Sequence, residues 1–128
     1  MASKENTMDF AGLELNVGQI SVGRKGSTKT ATASAGAATL NAPAGKITSE
    51  ALTTAQNAIY TLTLTNSEIA AADTVLVQVG DGTNTQGTPM IVRVNPAAGS
   101  VVVTVANKHA TAEALNGTIV ISFVVVKA

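Results

Sequence analysis

A two-residue periodicity runs through the second half of the chain and restricts what it can fold into. In residues 60–65, apolar and hydroxyl side chains alternate, as in a strand with one buried face. The same period returns in residues 75–79, 90–95, 101–105 and 118–127. Valine, isoleucine and threonine dominate these segments, and β-branched residues fit a pleated sheet better than a helix. The pattern therefore predicts an all-β protein.

The alternation also predicts which side chains share a face of each strand. In residues 90–95, it places Met90, Val92 and Val94 on one face, with Arg93 on the other. In the other segments the faces expected to be apolar hold Val75, Val77 and Val79, then Val101, Val103 and Val105, and finally Ile119, Ile121, Phe123 and Val125.

Turn-forming residues separate the strands at the short intervals typical of all-β domains. Residues 80–87 form a polar, glycine-rich loop that ends before Pro89, and residues 95–99 have the composition of a short hairpin connection. No long helical pattern intervenes, so we expect antiparallel pairing. The predicted fold is an antiparallel, jelly-roll-like β-sandwich, a single domain over residues 37–128, with an extended N-terminal arm.

Residues 1–36 differ in composition from the predicted sandwich. Apolar and polar residues alternate at first, and the phase slips at Gly18, as at a β-bulge. Residues 23–36 then contain no apolar side chain larger than alanine, too little to offset the entropy of ordering. We predict an arm and a flexible linker, with an ordinary first strand and a long surface loop as the alternative. The apolar residues of the arm are Leu13, Leu15, Val17, Ile20 and Val22.

Length and charge exclude several classes of protein. The chain has 128 residues, a formal net charge of zero and no cysteine. Its length fits one domain, and zero net charge argues against a nucleic-acid partner. Without cysteine there is no disulfide or thiolate chemistry. The polar N-terminus predicts no secretory signal, and residues 118–126 are too short to span a membrane, so we expect no membrane partner.

The residues that carry chemistry are few and scattered. His109 is the only histidine, and the sequence gives it neither an orienting group nor a nucleophile, so it is interpreted as an exposed loop residue. Residues 81–84 resemble the start of a calcium loop, but no carboxylate follows until Glu113. We predict no catalytic residue, metal ligand or cofactor site, and a non-enzymatic protein. The basic group of Arg24, Lys25 and Lys29 is interpreted as a solvated linker or a contact for an acidic protein surface.

Three stretches resemble one kind of viral protein. They read LNAPAGKIT at residues 40–48, YTLTLTNSEIAAAD at residues 60–73 and ALNGTIVISF at residues 114–123. Together they are similar to small virion structural proteins of tailed bacteriophages, of the capsid decoration or cement type. Similar β-domains occur in tail fibres, so a tail-fibre or host-adhesion module is the alternative.

The resemblance implies a protein made in the host bacterial cytoplasm that binds the outer surface of the capsid. There it would bind the major capsid protein, its partner, and bridge neighbouring subunits. Binding to the assembled shell would stabilise the head by mass action, and bridging two subunits would add the gain from a high effective concentration. Small apolar residues and sparse charge also suit self-association, as a homodimer or homotrimer. An alternating arm can add a strand to a neighbour's sheet. The expected contact residues are Leu13, Leu15, Val17, Ile20, Val22, Arg24 and Lys25.

Overall fold

The periodic segments form strands in the computed structural model, which describes residues 28–128. Eight strands and no helix occur in that range, which confirms the all-β prediction. In chain order they are β1 (Thr28–Thr32), β2 (Ala37–Thr39), β3 (Ala44–Thr48), β4 (Ile59–Thr65), β5 (Thr74–Asp81), β6 (Pro89–Ala97), β7 (Ser100–Asn107) and β8 (Ile119–Val126).

The strands form two four-stranded sheets that pack face to face as a β-sandwich. Sheet 1 has the order β1-β3-β8-β5, and sheet 2 has the order β2-β4-β7-β6. Alternate side chains of each sheet point into a shared apolar core, while Leu52, Ile69 and Leu115 add to it from the loops. The largest fully buried apolar side chains are Ile47, Leu62, Leu64, Val101, Val103, Val105, Leu115, Ile119 and Ile121.

Strand direction departs from the antiparallel expectation near the N-terminal side of the sandwich. β1 pairs with β3 in parallel, and β2 pairs with β4 in parallel, whereas the other pairs of described strands are antiparallel. The cause is that β1 to β4 alternate between the two sheets. β1 therefore lies beside β3 and β2 lies beside β4, and the two strands of each pair run in the same direction. The sequence could not reveal this, because parallel and antiparallel neighbours share one side-chain period.

Residues 28–36 are structured, in contrast to the flexible linker expected there. Thr28–Thr32 pairs along its whole length with β3, and Ala33 is buried in the core. Ser34 and Ala37 then exchange two backbone hydrogen bonds of 2.9 and 3.0 Å around a tight turn. The composition argument counted buried side chains only. Here, backbone hydrogen bonds to a strand that is already in place order a segment with little apolar surface.

A β-bulge between Ile91 and Arg93 corrects the face predicted for β6. Ile91 and Val94 are half-buried and pack against the core, whereas Met90 and Val92 are exposed on the outer side. The bulge adds one unpaired residue to the strand, which reverses the direction of every side chain after it. Met90, Val92 and Val94 therefore do not share a face.

Buried asparagines hold the loops at the ends of the strands. The side chain of Asn107, fully buried, donates to the carbonyls of Thr54 and Glu113 at 3.0 and 2.7 Å. Its Oδ1 accepts from the backbone amides of Thr88 and His109 at 3.0 and 3.2 Å. One side chain thus joins three loops, because an amide offers donors and acceptors together.

Candidate functional site

The residues predicted to contact a partner lie before the sandwich. Of the basic group, only Lys29 lies within the described residues, where it is exposed in β1. The other predicted contact residues lie outside the described residues: Leu13, Leu15, Val17, Ile20, Val22, Arg24 and Lys25. Their contacts remain a prediction.

His109 has neighbours that the sequence did not predict. The Thr88 hydroxyl lies 2.9 Å from His109 Nδ1, and Glu113 Oε1 lies 3.6 Å from Nε2. A hydroxyl, an imidazole and a carboxylate in that order have the composition of a nucleophile, a base and an orienting acid. Residues 107–113 bring the imidazole and the carboxylate together, and the i to i+4 spacing of His109 and Glu113 was the only sequence signal.

The geometry around His109 does not suit acyl transfer. The 3.6 Å separation exceeds hydrogen-bond length, and both side chains are substantially exposed. An oxyanion would need nearby backbone amides as donors. The amides of Thr88 and His109 both donate to Asn107 Oδ1 instead. The contact between Thr88 and His109 instead links the loop before β6 to the loop after β7.

The loop that resembles a calcium site is held by hydrogen bonds within itself and to Asn116. Asp81 Oδ1 accepts from Asn84 Nδ2 at 2.9 Å, and Asn84 Oδ1 accepts from the amide of Asn116 at 2.9 Å. Asn116 Oδ1 in turn accepts from the amide of Thr85 at 2.7 Å. Within residues 28–128, no group of three or more acidic or histidine side chains is placed to hold a metal ion.

The outer face of sheet 2 is a broad hydroxyl surface. Thr61 lies opposite Thr104 in the ladder, and Thr104 lies opposite Arg93 on its other side. Thr63 and Thr65 continue the exposed row along β4. At one end the surface turns apolar, where Ile59 and Met90, 61% and 48% exposed, flank the buried Ala106. This face offers short hydroxyl groups and small apolar contacts.

The outer face of sheet 1 carries an apolar pair next to its margin. Leu76, 57% exposed, lies opposite Val124 in the β5–β8 ladder. Together with Gln78 and Ser122 they line a shallow depression of about 210 Å³. Val126 extends the apolar strip toward the end of β8.

The four edge strands differ in how well they resist pairing with another chain. β2 has three residues, β1 has five and an exposed lysine, and β6 has two prolines, Arg93 and the bulge. Each of these features discourages strand addition. β5 has eight residues with no proline, no basic residue and no bulge, and no described residue pairs with its outer edge. Among the edges of the sandwich, β5 is the one best suited to accept a strand.

Comparisons with protein-family models, with curated proteins and with solved structures gave no match. The part of the chain in the structure also contains no helix of the length and apolarity that crossing a membrane requires.

Proposed function

We propose that this chain is a non-enzymatic capsid decoration protein of a tailed bacteriophage. It binds the outer capsid surface, bridges neighbouring major capsid subunits and stabilises the head. The sandwich supplies a rigid body, and the arm with its basic residues Arg24 and Lys25 supplies contacts to the partner. Copies also associate with one another on the shell.

The observation that carries the proposal is where the arm joins the sandwich. Residue 28 begins β1, and β1 is an edge strand of sheet 1. Within residues 28–128 the core is formed by residues from Ala31 onward, and the apolar residues of the arm precede this edge strand in the chain. An alternating segment attached at the margin of the sandwich is well placed to reach a neighbouring protein.

The surfaces of the sandwich support a protein partner. The threonine face of sheet 2 and the apolar strip of sheet 1 both lack clustered charge, apart from Arg93 and Lys46. Such surfaces come into contact without a large cost of removing ions from water. Many weak contacts repeated over a shell give high overall affinity, since each bound copy raises the effective concentration of its neighbours' sites.

Electron microscopy of purified particles, labelled with gold-coupled antibody against this chain, tests the location. We expect label distributed over the heads. Label confined to the tail would contradict the decoration role and favour the tail-fibre or host-adhesion module. Particles without label would contradict any place in the virion.

Binding to undecorated shells tests the arm. We expect deletion of residues 1–22 to weaken binding roughly tenfold or more, because one of two linked contacts is lost. A matched control replaces only the polar residues Glu14 and Asn16 with serine and should bind as the full chain does. Circular dichroism of the truncated protein should keep its β signal, since β1 and all later strands remain. Unchanged affinity after the deletion would contradict the contact role of the arm.

A further inference from the structure

We infer that the outer edge of β5 accepts residues 13–17 of a second copy, which add to sheet 1 as a fifth strand. The inference goes beyond the capsid contact, because it concerns two copies of this chain and needs no shell. It divides the arm into a part that joins copies, residues 13–17, and a remaining part that is left for the capsid.

The outer backbone edge of β5 has no hydrogen-bonded partner strand among residues 28–128. The eight residues of β5 pair with β8 along the other edge. β6 of the opposite sheet packs close beside β5, but no backbone ladder joins the two strands. An unpaired edge of this length exposes a row of amides and carbonyls that an incoming strand satisfies at once.

The side chains of β5 match the arm in spacing and character. Val75, Val77 and Val79 point toward the sandwich at two-residue intervals, and the last two are half-buried at its margin. An added strand covers them with its own inward face. Leu13 and Val17 are the first and last residues of an apolar face with the same two-residue period. The polar residues between them would then face solvent.

The position of β1 favours a second copy over insertion of a chain's own arm. β1 and β5 are opposite edges of sheet 1, about 14 Å apart at roughly 4.8 Å per strand spacing. A chain's own connector, which carries Arg24 and Lys25, would cross the outer face past the exposed Lys46. Between two copies, the connector leaves from one margin and enters at the other, so it need not cross the outer face past Lys46. Each copy donates at one edge and accepts at the other, a head-to-tail contact that closes into a small ring or exchanged dimer.

Intermolecular disulfide trapping tests the contact, because the chain contains no cysteine of its own. Two full-length single variants, Asn16→Cys and Gln78→Cys, are refolded together and oxidised mildly. A disulfide between the two variants joins different copies by construction. In the control pair, Thr63→Cys on the exposed face of sheet 2 replaces Gln78→Cys. We expect the yield of mixed dimer to be on the order of tenfold higher for the test pair than for the control pair, because docked residues meet at high effective concentration.

Equal yields from the two pairs would overturn the inference. A double variant, Asn16→Cys with Gln78→Cys, provides a second readout. A monomer closed by its own disulfide, without mixed dimers, would show that the arm inserts into its own β5 and would also overturn it.

Sedimentation of unmodified protein provides a readout free of cysteines. We expect the full chain to sediment as an oligomer, and replacement of Leu13, Leu15 and Val17 with serine to give monomers. The Glu14 and Asn16 serine variant should stay oligomeric. A full chain that is monomeric at high concentration would refute the contact. None of these measurements involves shells. The protein can therefore fail to bind shells while the contact between copies is confirmed, or bind shells while that contact is refuted.

Discussion

Tyr60 donates a hydrogen bond of 2.9 Å from its hydroxyl to Oε1 of Glu50. The other carboxylate oxygen, Oε2, accepts from the amide of Gly36 at 2.8 Å. Tyr60 belongs to β4 of sheet 2, Glu50 follows β3 of sheet 1, and Gly36 lies in the turn between β1 and β2. One carboxylate therefore ties both sheets to the turn between β1 and β2.

Stability at alkaline pH should depend on Tyr60. Burial raises the pKa of its hydroxyl, and the hydrogen bond to Glu50 and the negative charge of that carboxylate raise it further. In the unfolded chain the pKa returns to about 10. Above that pH the folded state holds a proton that the unfolded state has lost, so the free energy of unfolding falls as pH rises. Urea unfolding between pH 8 and pH 11 should show this decline.

Two variants separate this effect from general alkaline damage. Tyr60→Phe should remove the part of the decline due to the tyrosine, although the protein is less stable at neutral pH because Glu50 loses a donor. Since Tyr60 is the only tyrosine and the chain has no tryptophan, tyrosinate absorbance reports on it alone. Glu50→Gln should lower the pH at which that absorbance appears. An onset near pH 10 in the native wild-type protein would contradict the prediction.

Asp73 should govern the loss of stability in acid. The hydrogen bond from Lys127 is the main cause that lowers the pKa of Asp73 to about 2, and the amides of Ala70 and Ala128 assist. The folded state thus favours the carboxylate. Its contribution is complete above the ordinary pKa near 3.9 and is lost as pH falls toward about 2. The free energy of unfolding should therefore decline between pH 4 and pH 2.

Substitutions on each side of this ion pair test its role. The decline between pH 4 and pH 2 should be clearly smaller in Asp73→Asn, which has no charge to lose. Lys127→Gln should also reduce it, whereas Lys46→Gln, at an exposed lysine on sheet 1, should leave it unchanged. The prediction fails if Asp73→Asn and wild type lose stability in parallel.

Neighbouring substitutions in the turn after β1 should act in opposite directions. Ala35 and Gly36 both have positive φ, at 50° and 76°. Alanine in that region costs about 1–2 kcal/mol, so Ala35→Gly should raise the free energy of unfolding by roughly 0.5 kcal/mol after the greater freedom of unfolded glycine is deducted. Gly36→Ala should lower it by about 2 kcal/mol, because the added Cβ would lie 2.6 Å from the carbonyl oxygen of Thr61. Thermal unfolding of both variants provides the comparison, and equal signs would contradict it.

The sequence predicted those parts of the fold that depend on side-chain period alone. β4 and β7 alternate in step with burial, so their inward residues were correctly identified. β1 was missed because its order comes from backbone pairing with β3, which leaves little trace in side chains. The neighbours of His109 were missed because Asn107, through contacts with distant loops, places them. Long-range hydrogen bonds of this kind have no local signal.

The bulge in β6 predicts unequal effects for two valines two residues apart. Val92 is exposed, whereas Val94 is half-buried and packs against the core. Val92→Thr should change the free energy of unfolding by less than about 0.5 kcal/mol. Val94→Thr should lower it by roughly 1 kcal/mol, because a hydroxyl replaces a methyl group that contacts the core. Urea unfolding of the two variants measures the difference. Equal losses would indicate that the strand continues without a bulge.

Asn107 should be among the most sensitive polar residues of the sandwich. Asn107→Ala leaves the Glu113 carbonyl and two backbone amides without their side-chain partner at a fully buried position, while the Thr54 carbonyl keeps a hydrogen bond from the amide of Leu115. Each buried group left unsatisfied costs about 1–3 kcal/mol, and water entering the space left by the side chain recovers part of that. We expect the free energy of unfolding to fall by about 3 kcal/mol.

A charge at the same position distinguishes hydrogen bonding from packing. Asn107→Asp keeps the shape of the side chain but turns an acceptor toward the carbonyls of Thr54 and Glu113, so it should be at least as destabilising as alanine. Asn95→Ala, at an exposed position in β6, is the matched control and should change stability by less than about 0.5 kcal/mol. Urea unfolding followed by circular dichroism measures all three. If Asn107→Asp retained wild-type stability, the amide donors would not hold these loops.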